Sequence, residues 1–183
     1  MSLRVLAPSK DFRARVVIPL PRPVVDVVVQ VHDEETRLGP GIRELAAYLA
    51  AELPFSSVIT IADRASNDET RAAAQRLASE LPNVRLLRIS EQGRGRALAA
   101  AWLTSVARIV AGMDLSTSPS LLLSVVAPLI SGRSEVSIGR GLTALRATAA
   151  RRLVPEVLNR NRFFATELLV RARLAGLRIQ QAG

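Results

Sequence analysis

Asp114, Ser116 and Thr117 stand where the apolar run of IVAGMDLSTSP (109–119) gives out. A carboxylate with hydroxyls beside it offers hard oxygen ligands to Mg²⁺ or Mn²⁺ and hydrogen bonds to phosphate or sugar. Two residues earlier stands Gly112, which has no side chain to add. Other groups of this kind recur along the chain. His32-Asp33-Glu34-Glu35 gathers three carboxylates, which can line a nucleotide pocket, balance arginines, or sit as solvated acids at a helix N-terminus. Asp63 in DRASND can accept from a nucleobase edge or a ribose, while Asp68 reads as a helix cap. Gly93-Arg94-Gly95-Arg96 combines glycines, which let backbone approach a ligand, with guanidiniums able to clamp a diphosphate. Read alone it is equally a glycine turn with solvated arginines, and its glycine spacing does not match a dinucleotide fingerprint.

The elements that must carry these groups can be read from periodicity. VVDVVVQV (24–31), SVITIA (57–62), VRLLRI (84–89), ARIVAGM (107–113) and EVSIG (135–139) are β-branched or apolar runs of strand length. Between them, Leu38, Ile42, Leu45, Leu49 and Leu53 mark one helix face. Ser66 with Glu69 forms a capping-box pattern ahead of Ala72, Ala73, Leu77 and Leu81. Further helices are expected over 96–107, from Ser118 with Pro119 in its first turn, and over 163–175, with a short LRIQQ strand after the last. This alternation predicts an α/β fold, an αβα sandwich with a mainly parallel central sheet. Ligands of such sheets bind at the carboxyl ends of the strands, where HDEE, DRASND, QGRGR, DLST and GRG all fall.

Composition narrows the classes. The 183 residues suit one domain, expected over 24–183, with 1–23 as an N-terminal extension ending in PLPRP. There is no cysteine, so thiolate metal sites, disulfides and cysteine nucleophiles are excluded; the single histidine, His32, gives little support to a histidine metal site or a Ser-His-Asp triad. The net charge is +9, with Lys10 the only lysine, which favours anionic partners. Aromatics are only 3% of residues, too few for base stacking, so nucleic acid is not the expected partner. The apolar stretch 119–130 is too short to span a bilayer and the N-terminal residues lack a secretory pattern, so a cytoplasmic protein, at most peripheral to a membrane, is expected.

Taken together, VVVQVHDEE, ITIADRASNDET, QGRGRALAAAW, MDLSTSP, EVSIGRG and FFATELLVRARLAGLRI resemble, in order and spacing, the family 2 glycosyltransferases. These are inverting enzymes of GT-A (Rossmann-like) fold, and the likeness is strongest to the polyprenyl-phosphate mannose or glucose synthase branch. The resemblance implies transfer of a hexose from a nucleotide diphosphate sugar to an acceptor such as polyprenyl phosphate. It implies Asp33, Glu34, Asp63, Gly93, Arg94 and Gly95 at the nucleotide. It places Asp114 at the second acid of an Asp-x-Asp that binds Mg²⁺ or Mn²⁺, and Glu167 on a late helix facing the acceptor, both as catalytic residues. Four departures stand out: Gly112 replaces the first acid, Gln30 replaces a usual proline, Arg64 stands where a second acid is common, and the segment between Gly141 and Phe163 is short. Two readings follow, an enzyme with one carboxylate in place of two, or a non-catalytic relative that binds nucleotide or protein. In the first, Gly112→Asp should restore the acid pair. Loss of acceptor-side cover should expose LLLSVV (121–126) and LLVRARL (168–174), favouring a homodimer or contact with a membrane surface.

Overall fold

The computed structural model describes residues 22–90 and 93–182; most of the expected N-terminal extension lies outside them. Seven strands form one sheet in the order β3-β2-β1-β4-β6-β5-β7. The strands are β1 (Val25–Val31), β2 (Ser57–Arg64), β3 (Val84–Ile89), β4 (Ile109–Asp114), β5 (Val136–Gly139), β6 (Leu142–Arg146) and β7 (Ile179–Gln181). β1 pairs in parallel with β2 and with β4, β2 with β3, and β5 with β7; only β6 runs antiparallel to its neighbours.

Among the described residues six α-helices cover the sheet: α1 (Glu35–Glu52), α2 (Thr70–Glu80), α3 (Arg94–Thr104), α4 (Leu121–Ile130), α5 (Ala147–Leu153) and α6 (Phe164–Leu174). The period-2 alternation of the strands sorts their side chains between two cores. Val25, Val27, Val29 and Val31 pack with Ile59, Ile61, Ile109 and Ala111 under α1, α2 and α4. Val28, Ala62 and Val110 face α3, α5 and α6, where Trp102 and Phe164 meet with ring centroids 5.9 Å apart. A mainly parallel sheet needs this cover on both faces.

Three local expectations are corrected. Ser66 does not cap α2, because its hydroxyl is taken by Asp63 Oδ1 at 2.6 Å; Asp68 Oδ1 instead accepts from the Thr70 N–H at 2.9 Å. Pro119 lies in a turn ahead of α4 rather than within it, with the Leu122 N–H bonded to the Pro119 carbonyl. α3 begins two residues early, at Arg94. β6 and α5 carry no expectation from sequence: their LTALR and ATAARRL are short, and β6 is defined only by its pairing across β4 and β5.

The far end of the sheet from the strand-end motifs is locked by a buried charge. Asp26 is fully buried on β1, and its carboxylate accepts from Thr60 Oγ1 (2.7 Å), Ser105 Oγ (2.6 Å) and the Arg85 guanidinium. A buried carboxylate persists only when so paired.

Candidate functional site

The sheet reverses its direction of growth between β1 and β4, both parallel and both ending at the same edge. Crevices of α/β sheets form at this switch point. The register sets Gln30 of β1 beside Asp114 of β4, and Val28 beside Gly112. Gln30, Gly112 and Asp114 therefore face the α3 side together. A cavity of about 280 Å³ opens there, lined among others by Gln30, Arg94, Gly112, Asp114, Thr143 and Asn161. A neighbouring cavity of about 320 Å³ shares Arg94, Asn161 and Arg162 and adds His32, Arg64 and Gly93.

Arg94 and Asp114, both expected at the site, meet there: the Arg94 Nη1–H donates to Asp114 Oδ2 at 3.2 Å. Arg64 lies against the same group. Burial first, then the neighbouring Arg94 guanidinium, hold its pKa below the ordinary arginine value, while Asp114, Asp63 and Glu34 act the other way. Its Nε is buried with no partner among the described residues, as are Gln30 Oε1 and His32 Nδ1. Three guanidiniums and one carboxylate line the paired cavities, which makes them a place for an anion.

The acids after β1 are used differently. Asp33, with a positive φ of 53°, accepts the Asn67 N–H at 2.9 Å, and its own N–H donates to Ser66 Oγ at 3.1 Å. Glu34 pairs with Arg37 at 3.3 Å, and its N–H donates to Thr70 Oγ1 at 2.7 Å. Asp63 is buried and holds Ser66 through both its N–H and its hydroxyl. These three expected nucleotide ligands brace the β1–α1 loop on the β2–α2 loop, and none lines the two cavities that Arg94 shares.

Gly93 and Gly95 are needed for a close approach, but by the chain itself. A Cβ on Gly93 would lie 2.9 Å from the Arg160 carbonyl oxygen, and its φ of 133° favours glycine; one on Gly95 would lie 2.6 Å from Phe164 Cβ. The segment before α6 closes onto the start of α3, where the Arg160 carbonyl accepts the Arg96 N–H at 3.1 Å.

Glu167 stands in the first turn of the late helix α6, where its carboxylate is engaged by the chain itself. Its carboxylate accepts the backbone N–H groups of Leu158 (3.0 Å) and Asn159 (2.8 Å) and pairs with Arg171 at 2.8 Å. Those two N–H bonds, then Arg171, lower its pKa to about 2. It does not line the paired cavities; it fixes the loop that carries Asn161 and Arg162. Neither of those residues, nor Arg64, belonged to the expected set. Arg64 was legible only as a basic residue following an expected ligand at a strand end. Asn161 and Arg162 reach the site through the shortened segment, for which spacing gives no signal.

Gly112 is buried, and a Cβ there would lie 2.4 Å from Leu98 Cδ2 and 3.0 Å from Trp102 Cζ2. The position that would hold a first acid is filled by the side chains of α3. An Asp at this position would require Leu98 and Trp102 to shift before it could add a second acid.

A model of glycosyl transferase family 2 matches residues 26–180. The chain belongs to this family. No curated protein sequence matches it significantly. Solved structures share the fold. A mannosyltransferase from Pyrobaculum calidifontis, in complex with GDP-Man and Mn²⁺, superposes with a TM-score of 0.66 at 19% identity, over 90% of this chain and 56% of that one. Glucosyl-3-phosphoglycerate synthase from Mycobacterium tuberculosis, with Mn²⁺, UDP and phosphoglyceric acid, gives 0.64 at 18%, over 87% and 68%. The same synthase with Mg²⁺ and UDP gives 0.62 at 19%. The sheet with helices on both faces is thus the expected GT-A-like fold, and the chain spans little more than half the length of the mannosyltransferase.

Those neighbours hold Mn²⁺ or Mg²⁺. Among the described residues, the donors that line the paired cavities do not match such an ion. Asp114 is the one carboxylate in the paired cavities, it is bound to Arg94, and no cluster of three His, Cys, Asp or Glu occurs among the described residues. No helix among those residues is long and apolar enough to cross a membrane.

Proposed function

We propose that this family 2 domain binds a nucleotide diphosphate sugar at the ends of β1 and β4 and transfers its hexose, with inversion, to an acceptor. One observation carries the reading: Arg64, Arg94 and Arg162 line adjoining cavities at the switch point of a GT-A-like sheet, where a leaving diphosphate must be stabilised. Direct displacement at the anomeric carbon needs positive charge on that leaving group and an ionised or deprotonated acceptor oxygen. A polyprenyl phosphate brings its own ionised oxygen, so little base catalysis is required. That suits a site in which Glu167 is engaged elsewhere and acts as a positioning residue.

The surface near the site supports a lipid-linked acceptor at a membrane surface. Leu158 is 81% exposed and Phe163 53% exposed, flanking Arg160 and Arg162. Apolar tips beside guanidiniums suit an anionic interface. The apolar faces expected to be bare are largely covered, with Leu122, Val125, Val126 and Leu168 buried; Leu123 on α4 remains exposed on one side of the sheet, and Val170 and Leu174 on α6 remain exposed on the other and offer a surface for a homodimer.

A second reading, a binding domain without transfer, draws on Gly112 lying under Leu98 and on the engagement of Glu167. Incubation with labelled UDP- and GDP-sugars and polyprenyl phosphate in anionic vesicles separates the two. Labelled glycolipid is expected; nucleotide binding without transfer or donor hydrolysis leaves only the second.

A further inference from the structure

We infer that this chain grips the donor diphosphate with paired guanidiniums, Arg64 and Arg94, in place of a divalent cation of the kind its structural neighbours hold, and that Asp114 serves to aim Arg94. The inference rests on the nucleotide-sugar reading above and specifies the chemistry of its diphosphate site.

Three independent observations converge on it. The first is steric: the direction in which a first acid would project from β4 is filled by Leu98 and Trp102. The second is the pairing of Asp114. Its Oδ2 already accepts from Arg94 Nη1, so a cation arriving at that oxygen would compete with a guanidinium in contact with it. The third is the sign of the local charge. Arg94 lies close enough to Arg64 to disfavour its charge, and Arg162 joins Arg94 on both cavities. A dication adds to that repulsion, whereas a diphosphate relieves it. The planar guanidinium also matches phosphate oxygens with two parallel N–H donors, and the buried Arg64 Nε has no protein acceptor among the described residues. The start of α3 contributes less, because the Arg160 carbonyl already takes the Arg96 N–H.

The sign of the Asp114 effect distinguishes the two arrangements. If Asp114 holds a cation, removing its charge abolishes nucleotide binding. If Asp114 only aims Arg94, removing its charge leaves a more positive site that binds diphosphate at least as well.

Calorimetry with UDP and GDP, in EDTA and in Mn²⁺, tests this on the full chain. Binding is expected in EDTA, within about threefold of its strength in Mn²⁺. Arg64→Gln and Arg94→Gln should each weaken it about tenfold or more, the scale of one lost charge-assisted hydrogen bond, and Asp114→Asn should hold or tighten it. Circular dichroism melts confirm that each variant is folded. Binding that appears only with Mn²⁺ and vanishes in Asp114→Asn overturns the guanidinium site and leaves the nucleotide-sugar reading standing. No binding of either nucleotide in either condition overturns both.

Discussion

Arg94 and Asp114 are twenty residues apart in sequence, one opening α3 and the other closing β4, and their side chains meet 3.2 Å apart at the mouth of the cleft. The two side chains are 55% and 35% exposed. An ion pair this open contributes little to folding, on the order of 0–1 kcal/mol. Arg94→Gln and Asp114→Asn should therefore each change the free energy of urea unfolding by no more than about 1 kcal/mol. A loss several times larger would make the pair a structural element rather than part of a binding site.

Gly112 responds in the opposite way. Its missing Cβ lets α3 settle on β4, so Gly112→Ala forces Leu98 and Trp102 to move and should cost about 1–3 kcal/mol. Gly112→Asp should cost more, since it also places a carboxylate against that apolar pair, and it should add no affinity for Mn²⁺. Combining Gly112→Ala with Leu98→Ala should be less destabilising than the sum of the two, because the second change vacates the space the first requires. Additive losses in denaturant melts would show that Leu98 does not oppose the new methyl group.

Asp26 is the sharpest stability test away from the cleft. Removing it takes the acceptor from the buried Thr60 and Ser105 hydroxyls, while the half-exposed Arg85 guanidinium can turn to solvent. Asp26→Ala should lose about 1–3 kcal/mol, the scale of leaving a buried hydroxyl without its partner. Asp26→Asn keeps the shape and should lose less. Chemical denaturation at neutral pH measures both.

Glu167 gives a pH signature. Its pKa in the folded protein is lowered to about 2 from the ordinary 4.5, chiefly by the N–H groups of Leu158 and Asn159. A depressed carboxyl pKa adds stability that is fully present above 4.5 and is lost as pH falls towards 2. Wild type should lose stability over that window, and Glu167→Gln should lose less between the same two pH values. Identical acid limbs in the two proteins would mean that Glu167 does not hold the 158–159 backbone in solution.

The alternation of β-branched runs with leucine-spaced helices was enough to determine the αβα sandwich. Burying a parallel sheet on both faces requires Val, Ile and Leu at those positions, and that requirement is local and periodic. The strand-end placement of Asp33, Asp63, Arg94 and Asp114 followed from the same alternation. Which of them share a cleft did not, because that depends on register and on contacts between distant segments. The pairing of Gln30 with Asp114 and of Val28 with Gly112 is a property of β1 against β4. The filling of the Gly112 position is a property of α3 packed on that sheet, and the engagement of Glu167 depends on a loop eight and nine residues before it. Sequence showed an acid missing at 112. Only the folded chain showed that its space belongs to Leu98 and that Asp114 is held by Arg94, since side-chain volume and charge act across space rather than along the chain.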